Sequence, residues 1–197
     1  MSRCVYFTAA TLDGFIADEH DSLDWLFEVP HGSDEQSDEQ SDDGGWDAFI
    51  GRIGPLVMGS TTYRWAHERH YAEHPEQWQE HYGDRPAWVF THRELPEIPG
   101  AEVYFVSGDV AQVHEHELLP AARGKDVWIV GGGDLVGQFD DAGLLDEIQV
   151  HLTPVVLGAG KPLLPRRITS SRLSFREGSV VGQRCNLTLD VVRRERA

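Results

Sequence analysis

Residues 126–139 read Asp126-Val-Trp-Ile-Val-Gly-Gly-Gly-Asp-Leu-Val-Gly-Gln-Phe139, which predicts a strand, a glycine turn and a helix in direct succession. The apolar run Val127–Val130 is typical of a short buried strand. Contiguous glycines let a ligand approach the backbone closely, since no Cβ intervenes. A helix from about Leu135 would offer its unpaired N–H groups and positive dipole end to an anion. The segment therefore predicts either a phosphate-binding turn or a tight corner without a ligand.

Strand and helix patterns alternate along most of the chain. The predicted strands are 5–10, 55–58, 86–91, 101–106, 127–130 and 145–152. The predicted helices are 46–53, a helix capped by Ser60–Thr62, 110–122 and 135–142, with helical pieces between 68 and 84. The segments 172–177 and 186–193, on either side of Gly178–Gly182, predict a terminal antiparallel hairpin. This order predicts an α/β fold whose mixed, mostly parallel central sheet is covered on both faces.

Composition indicates a globular protein of ordinary polarity. The chain has 197 residues, of which 40% are hydrophobic and 25% charged. This length predicts a single domain spanning residues 1–197. No apolar run approaches the roughly 18 residues that a membrane helix needs. The N-terminal segment carries no signal-peptide pattern, so we expect a cytoplasmic location and no membrane partner.

The charge of the chain argues against nucleic acid as a partner. The formal net charge is -16, whereas neutralising phosphates requires a basic face. Six of the acids lie in Ser33–Asp43, which repeats Ser-Asp-Glu-Gln and contains no base. Such a run buries no apolar surface, so we expect a flexible acidic insertion at about residues 31–45. A calcium loop is the alternative, but the ligand spacing does not fit one.

Cysteine and histidine provide no pattern typical of a metal site. Cys4 and Cys185 lie in strand-like contexts, and a reducing compartment would keep them as buried thiols. His67, His70 and His74 share one helical face, a spacing that could bind a metal. Pro75 interrupts that helix, so we expect surface histidines and no metal.

Polar turns follow three of the predicted strands. They are Gly59–Thr62, Thr91–Arg93 and Gly131–Asp134. The carboxyl ends of parallel strands lie along one edge of a sheet, so the three turns can contact one extended ligand. Their glycines, hydroxyls and guanidinium are suited to a molecule that carries several phosphates. The sequence therefore predicts a dinucleotide site at this edge.

The chain resembles the dihydrofolate-reductase-like superfamily over nearly its whole length. Within it, the chain is most similar to the C-terminal reductase domain of the bifunctional riboflavin-biosynthesis deaminase-reductase. The resemblance rests on the segments Thr11-Leu-Asp-Gly-Phe-Ile-Ala17, Leu56-Val-Met-Gly-Ser-Thr-Thr-Tyr63, Val89-Phe-Thr-His-Arg93, Val127–Val136, Ala142–Ile148, Thr153–Gly158 and Gly160–Leu164. It implies a three-layer αβα fold and an NADPH-dependent oxidoreductase. It also implies a homodimer.

The resemblance assigns cofactor-binding residues by position. The pyrophosphate would be held by Gly59, Ser60, Thr61 and Thr62 together with Gly131, Gly132, Gly133, Asp134, Leu135 and Val136. Thr91, His92 and Arg93 would contact the adenosine ribose and its 2′-phosphate. Ala10, Asp13, Gly14 and Ile16 would line the nicotinamide side. Many relatives carry Arg where this chain has Ser60. Arg93 and His92 would take its place at the 2′-phosphate, so we expect NADPH rather than NADH.

Candidate residues for catalysis and substrate binding also follow from the resemblance. The folate reductases use an acid on the helix before the second strand, which makes Asp47 the first candidate catalytic residue and Asp13 the second. Asp47 is equally interpretable as an exposed acid favoured by the helix dipole. Lys161, with Arg166 and Arg167, would bind the phosphate of a ribotide substrate, or these are solvated loop charges.

The resemblance therefore implies a reductase of a pyrimidine- or pteridine-like heterocycle, similar to 5-amino-6-(5-phosphoribosylamino)uracil reductase. The paired zinc-binding cysteines of the associated deaminase are missing, because Pro-Cys-x-x-Cys does not occur. We therefore expect a stand-alone reductase domain. The alternatives are a dihydrofolate reductase and a protein of another class, an NADP(H)-binding protein or dimeric scaffold without catalysis.

Overall fold

A computed structural model describes residues 2–28 and 46–194 of the chain. The predicted acidic insertion at about 31–45 lies outside the described residues. Within the described ranges, no helix is both long enough and apolar enough to cross a membrane.

In the described part of the chain, ten strands alternate with short helices. The strands are β1 (Cys4–Thr11), β2 (Phe15–Ala17), β3 (Ile53–Gly59), β4 (Ala87–Phe90), β5 (Val103–Val106), β6 (Asp126–Gly131), β7 (Leu145–Thr153), β8 (Lys161–Pro162), β9 (Leu173–Val181) and β10 (Arg184–Val191). The helices are α1 (Asp24–Phe27), α2 (Trp46–Arg52), α3 (Ser60–Ala66), α4 (Glu76–Tyr82), α5 (Val110–Val113), α6 (Leu119–Ala122) and α7 (Gly133–Asp141). One π-helical turn, His67–Tyr71, extends α3, and another, His114–Leu118, joins α5 to α6.

Eight of these strands form one sheet in the order β5-β4-β3-β6-β1-β7-β10-β9. The strands from β5 to β7 pair in parallel, whereas β10 pairs antiparallel with both β7 and β9. The strands β2 and β8 form a separate two-stranded sheet. This confirms the predicted α/β fold with a mixed, mostly parallel sheet and a C-terminal antiparallel hairpin.

Each face of the sheet packs against its own apolar cluster. On one face, Tyr6, Ile129 and Val150 pack with the side chains of α5 to α7. On the other, Val5, Met58 and Trp128 pack with the side chains of α2 to α4. Successive strand residues point to opposite faces, so a strand with both faces covered is apolar throughout. The buried run Val127–Ile129 illustrates the rule.

Three local predictions need correction. The last helix begins at Gly133 and not at about Leu135, since Gly132 is its extended N-cap residue. Ser60–Thr62 do not cap α3; Gly59 is the N-cap, and no side chain bonds to the first turn. The C-terminal hairpin turns only at Gly182–Gln183, because β9 continues through Gly178 up to Val181. Glycine is compatible with a strand here because Gly178 packs opposite Leu187.

Candidate functional site

A cleft of about 1320 Å³ lies at the carboxyl-terminal edge of the parallel strands. It is lined from β1, β3 and β6 in the middle of the sheet, and from β7 and the β9-β10 hairpin on one side. Between β3 and β1 the chain order of the strands reverses around β6, and ligands of open α/β sheets bind at such points. The cleft therefore lies where the fold places a ligand.

The two predicted glycine turns meet in this cleft. Gly59–Thr62 and Gly131–Leu135 all line it. A Cβ built on Gly59 would lie 3.8 Å from the backbone nitrogen of Gly132, so the turns are neighbours. Each turn leads into a helix whose first turn has no side-chain cap, which leaves backbone N–H groups available to an anion. A Cβ at Gly132 would meet no atom within 4 Å, so open space lies beside that backbone.

Residue 133 has to be a glycine because the backbone of residues 162–163 packs directly against it. A Cβ built on Gly133 would lie 2.4 Å from the carbonyl oxygen of Pro162 and 2.6 Å from that of Leu163. The backbone of α7 can approach this segment so closely only because residue 133 has no side chain. Asp134, one residue further on, is neutralised by Arg166 at 3.1 Å.

The third predicted turn lies at the same edge but outside the lining of the cleft. Phe90, the last residue of β4, lines the cleft, while Thr91, His92 and Arg93 do not. The Thr91 hydroxyl accepts a hydrogen bond from the Arg93 backbone N–H at 2.9 Å, which shapes the turn. The side chains of His92 and Arg93 are exposed.

Only one of the residues predicted for the nicotinamide side, Ile16, is in the lining of the cleft. Ile16 lines the cleft, whereas Ala10 is fully buried in the core and Gly14 adopts a positive φ of 84° just outside it. The Gly14 carbonyl accepts a hydrogen bond from Leu163 N–H at 2.9 Å, which connects this turn to the segment over Gly133. Val136 is also buried in the core and does not line the cleft.

Neither candidate catalytic acid lines the cleft. The Asp13 carboxylate accepts hydrogen bonds from the Thr11 hydroxyl at 2.6 Å and from the backbone N–H of Gly158 at 2.7 Å. The Thr11 bond, followed by the backbone bonds, lowers the pKa of Asp13. Asp13 therefore fastens the loop after β7 to the end of β1. Asp47 is exposed in the first turn of α2, whose neighbouring residue Trp46 does line the cleft.

The cations predicted for a substrate phosphate are mostly paired with acids. Lys161 lines the cleft, and its ammonium group lies 3.4 Å from the Asp21 carboxylate. Arg166 pairs with Asp141 at 2.7 Å as well as with Asp134. Arg167 is exposed and does not line the cleft.

The sequence-based predictions missed the aromatic half of the cleft. Phe7, Trp46 and Trp128 line it with ring centroids 5.6 to 6.0 Å apart. Tyr82 lies beside Trp128 at 6.0 Å, and burial raises its pKa, so its hydroxyl stays protonated at neutral pH. His151 contacts Phe7 edge-on at 4.8 Å. β7 also contains Asp146, Glu147, Gln149 and Thr153, so nothing in the sequence of this strand distinguishes His151 as a residue of the cleft.

The histidine-rich segment forms no metal centre in the described part of the chain. No group of three or more His, Cys, Asp or Glu side chains there has the proximity to hold an ion. His70 and His81 have ring centroids 6.0 Å apart, and His81 Nδ1 is hydrogen-bonded to the Tyr71 hydroxyl at 2.9 Å.

The cleft suits an extended ligand with phosphates at one end and a flat ring at the other. Two uncapped helix starts and a backbone without Cβ atoms form the phosphate end. The aromatic residues Phe7, Trp46 and Trp128 form the other end, where a planar ring can stack.

Comparisons with known proteins agree with this architecture. The family model described as the RibD C-terminal domain matches residues 4–187. The Bacillus subtilis (strain 168) protein named uncharacterized protein YwjB is 28% identical over 192 residues, which covers 94% of this chain and 95% of that protein.

Solved structures share the fold over the full length. A Shewanella sp. PV-4 protein described as a putative riboflavin biosynthesis protein superposes with a TM-score of 0.67 at 26% identity, covering 98% of this chain and 99% of that one. Dihydrofolate reductase from Enterococcus faecalis, complexed with NADP(H), superposes with a TM-score of 0.57 at 15% identity, covering 98% and 97%. The second likeness is one of fold alone, and it confirms the predicted dihydrofolate-reductase-like architecture.

Proposed function

The chain belongs to the RibD C-terminal domain family, and from this we propose that it is an NADPH-dependent reductase of a pyrimidine- or pteridine-like heterocycle, of the riboflavin-biosynthesis type. The proposal rests on one observation. Two helix starts without side-chain caps, each preceded by a glycine turn, lie in one cleft. Phe7, Trp46 and Trp128 form an aromatic wall at the other end of this cleft. Helix starts of this kind bind phosphates, and an aromatic wall stacks with a planar ring.

The residues of the chain have distinct roles in this proposal. The N–H groups after Gly59 and Gly132 bind the pyrophosphate, with the Thr62 hydroxyl beside them, and Ile16 packs on the nicotinamide side. NADPH supplies a hydride when bound. The protein itself orients the two rings and excludes water through the apolar side chains that line the cleft.

The proton that accompanies a hydride has no assigned donor among Asp13 and Asp47. Asp13 is engaged with Thr11 and the loop at Gly158, and Asp47 does not line the cleft. The candidate proton donors are therefore Asp13, Asp47 and His151, of which His151 lines the aromatic half of the cleft. Comparing kcat for the variants Asp13→Asn, Asp47→Asn and His151→Gln distinguishes them.

One experiment tests the function. NADPH oxidation is followed at 340 nm with 5-amino-6-(5-phosphoribosylamino)uracil, dihydrofolate and simple aldehydes, beside direct titration of NADPH. Turnover of the aminouracil ribotide supports the proposal, and turnover of dihydrofolate alone supports a dihydrofolate reductase. NADPH binding without turnover of any substrate supports a non-catalytic nucleotide-binding protein. Failure to bind NADPH refutes all three.

We expect Arg93→Ala to weaken binding of NADPH but not of NADH. The side chain of Arg93 is exposed and lies at the same edge of the sheet as the cleft. The neighbouring turn has Ser60 where many relatives have Arg, so this position supplies no cation. Losing one charge-assisted contact to the 2′-phosphate should raise KM for NADPH about tenfold. Lys125→Ala is the control, because Lys125 precedes β6 at the opposite edge of the sheet. An unchanged ratio of the two KM values contradicts the assignment of Arg93.

We also propose a homodimer formed through the exposed edge strand β9. Phe175 and Val180 are 73% and 76% exposed and pair with Leu189 and Cys185, which share a face of β10. Apolar side chains on an unpaired edge strand favour association with another strand or face. Phe175→Glu should halve the mass measured by light scattering, whereas Val156→Glu, in an exposed loop, should not. A wild-type monomer at 50 µM refutes the proposal.

The remaining assignments concern organisation and location. We propose a single domain, supported by the one eight-stranded sheet that runs through the described residues. We propose a cytoplasmic location, supported by Cys4 and Cys185, which are both free thiols.

A further inference from the structure

Two polar side chains lie next to each other beyond the aromatic wall. Asn186 on β10 is the register partner of His151 on β7, and both line the cleft. Directly opposed residues of antiparallel strands point to the same face, with their Cβ atoms about 5 Å apart. The two side chains therefore form a polar edge on the same face of the sheet as Phe7.

Asn186 has an unmet hydrogen-bonding requirement. Its side-chain oxygen is buried and accepts no hydrogen bond from residues 2–28 or 46–194. Such groups are rare in folded proteins, because desolvation of a carbonyl without a donor is unfavourable. The nearby carboxamide of Gln149 does not meet the need, since it donates to Glu147 at 2.6 Å. Because Asn186 lines the cleft, a rotation of its carboxamide brings the oxygen to the cleft, where a bound molecule can donate a hydrogen bond to it.

The aromatic wall directs a ring towards this edge. Phe7 contacts His151 at 4.8 Å on one side and Trp128 at 6.0 Å on the other. The strands that carry Trp128, Phe7, His151 and Asn186 are consecutive in the sheet. A planar ring stacked on the wall therefore presents its rim to β7 and β10.

We propose that Asn186 is a specificity-determining residue that reads a –CO–NH– edge of the heterocyclic substrate. Its carboxamide oxygen accepts a hydrogen bond from the ring N–H, and its NH₂ group donates to the adjacent ring carbonyl. A carboxamide complements such an edge in either orientation of its oxygen and nitrogen. This inference rests on the proposed function, because it places the substrate ring in the aromatic half.

Two pairs of probes test the inference by binding alone. Uracil and lumazine carry the –CO–NH– edge, and 1,3-dimethyluracil and 1,3-dimethyllumazine lack its N–H. Isothermal titration is performed with each probe, with and without saturating NADP⁺. We expect the N–H member of a pair to bind the wild type at least tenfold more tightly, because one buried hydrogen bond is at stake.

Variants then locate the preference. Asn186→Leu should remove the tenfold difference within each pair, while Asn186→Asp, which still accepts a hydrogen bond from N–H, should keep a preference for the unmethylated probe. Thr188→Val is the matched control, since Thr188 is two residues along the same strand, on the same face, and does not line the cleft. It should leave the preference unchanged. Thermal unfolding of each variant verifies that it is folded.

The inference is overturned if the wild type does not discriminate within either pair, including by binding none of the four probes. A preference that survives in Asn186→Leu overturns it too. NADPH titration of the same samples judges the proposed function separately. If NADPH does not bind, the proposed function fails, and the titrations without NADP⁺ still decide whether Asn186 reads the ring edge.

Discussion

Replacing Gly133 with alanine should lower the affinity for NADPH about 100-fold. The new Cβ would lie 2.4 Å from the Pro162 carbonyl oxygen and 2.6 Å from that of Leu163, and both contacts are with backbone. Relief requires the start of α7 or the 162–163 segment to move, and a displacement of about 1 Å at a binding site can cost 10²-fold. The same crowding should destabilise the fold by about 1–3 kcal/mol.

Gly51→Ala is the matched control for this prediction. Gly51 lies in α2, and a Cβ there would meet no atom within 4 Å. Alanine is the better helix former, so stability should stay equal or rise by up to about 1 kcal/mol. NADPH at about ten times the wild-type Kd should raise the unfolding temperature of the wild type and of Gly51→Ala, and should leave that of Gly133→Ala almost unchanged. If NADPH raised the unfolding temperature of Gly133→Ala as much as that of the wild type, the close approach of these backbones would not matter for NADPH binding.

The two glycine turns that line one end of the cleft are predictable from sequence, because the residues of each turn are consecutive. Gly59–Thr62 and Gly131–Leu135 each occupy consecutive positions between a strand and a helix, so the short-range pattern contains the whole turn. The rule that parallel strands end at one edge places both turns at that edge, while the pairing of β3 with β6 is known only from the structure. The fold class followed from the same alternation.

The aromatic end of the cleft is not predictable in this way, because residues distant in sequence build it. Four different strands carry the residues of this end, Phe7, Trp128, His151 and Asn186. Their proximity can be inferred only from the order of the strands in the sheet. Each of them alone is an ordinary strand residue. Asp13 illustrates the converse, since its position after β1 suggests the active site, while its bonds to Thr11 and Gly158 hold a loop.

Replacing Glu147 with glutamine should destabilise the protein by about 3 kcal/mol. Glu147 is completely buried on β7, and its carboxylate contacts Arg3 at 2.7 Å, Arg52 at 2.5 Å and Arg176 at 2.6 Å. Removing the charge leaves three guanidinium groups facing one another, and breaking a buried ion pair costs about 3–5 kcal/mol. The low end applies because the arginine side chains remain 34%, 33% and 38% exposed, so water compensates them in part.

Chemical denaturation of Glu147→Gln and of the control Glu80→Gln measures this effect. Glu80 is exposed on α4, and a surface substitution of this kind should change the free energy of unfolding by less than about 0.5 kcal/mol. A loss below about 1 kcal/mol in Glu147→Gln would mean that the arginines are satisfied by water without the carboxylate.

The effect of Glu147→Gln should also depend on pH in one direction. Burial disfavours the ionised form of Glu147, but hydrogen bonds from Arg176 and Arg52 outweigh burial and hold its pKa below the ordinary value of 4.5. A group whose pKa is lowered by folding stabilises the protein above its unfolded pKa, and that stabilisation is lost as the pH falls through the folded pKa. The difference in unfolding free energy between wild type and Glu147→Gln should therefore stay constant from pH 7 to about pH 5 and shrink below about 4.5. A difference that widens in acid would contradict the assigned role of Glu147.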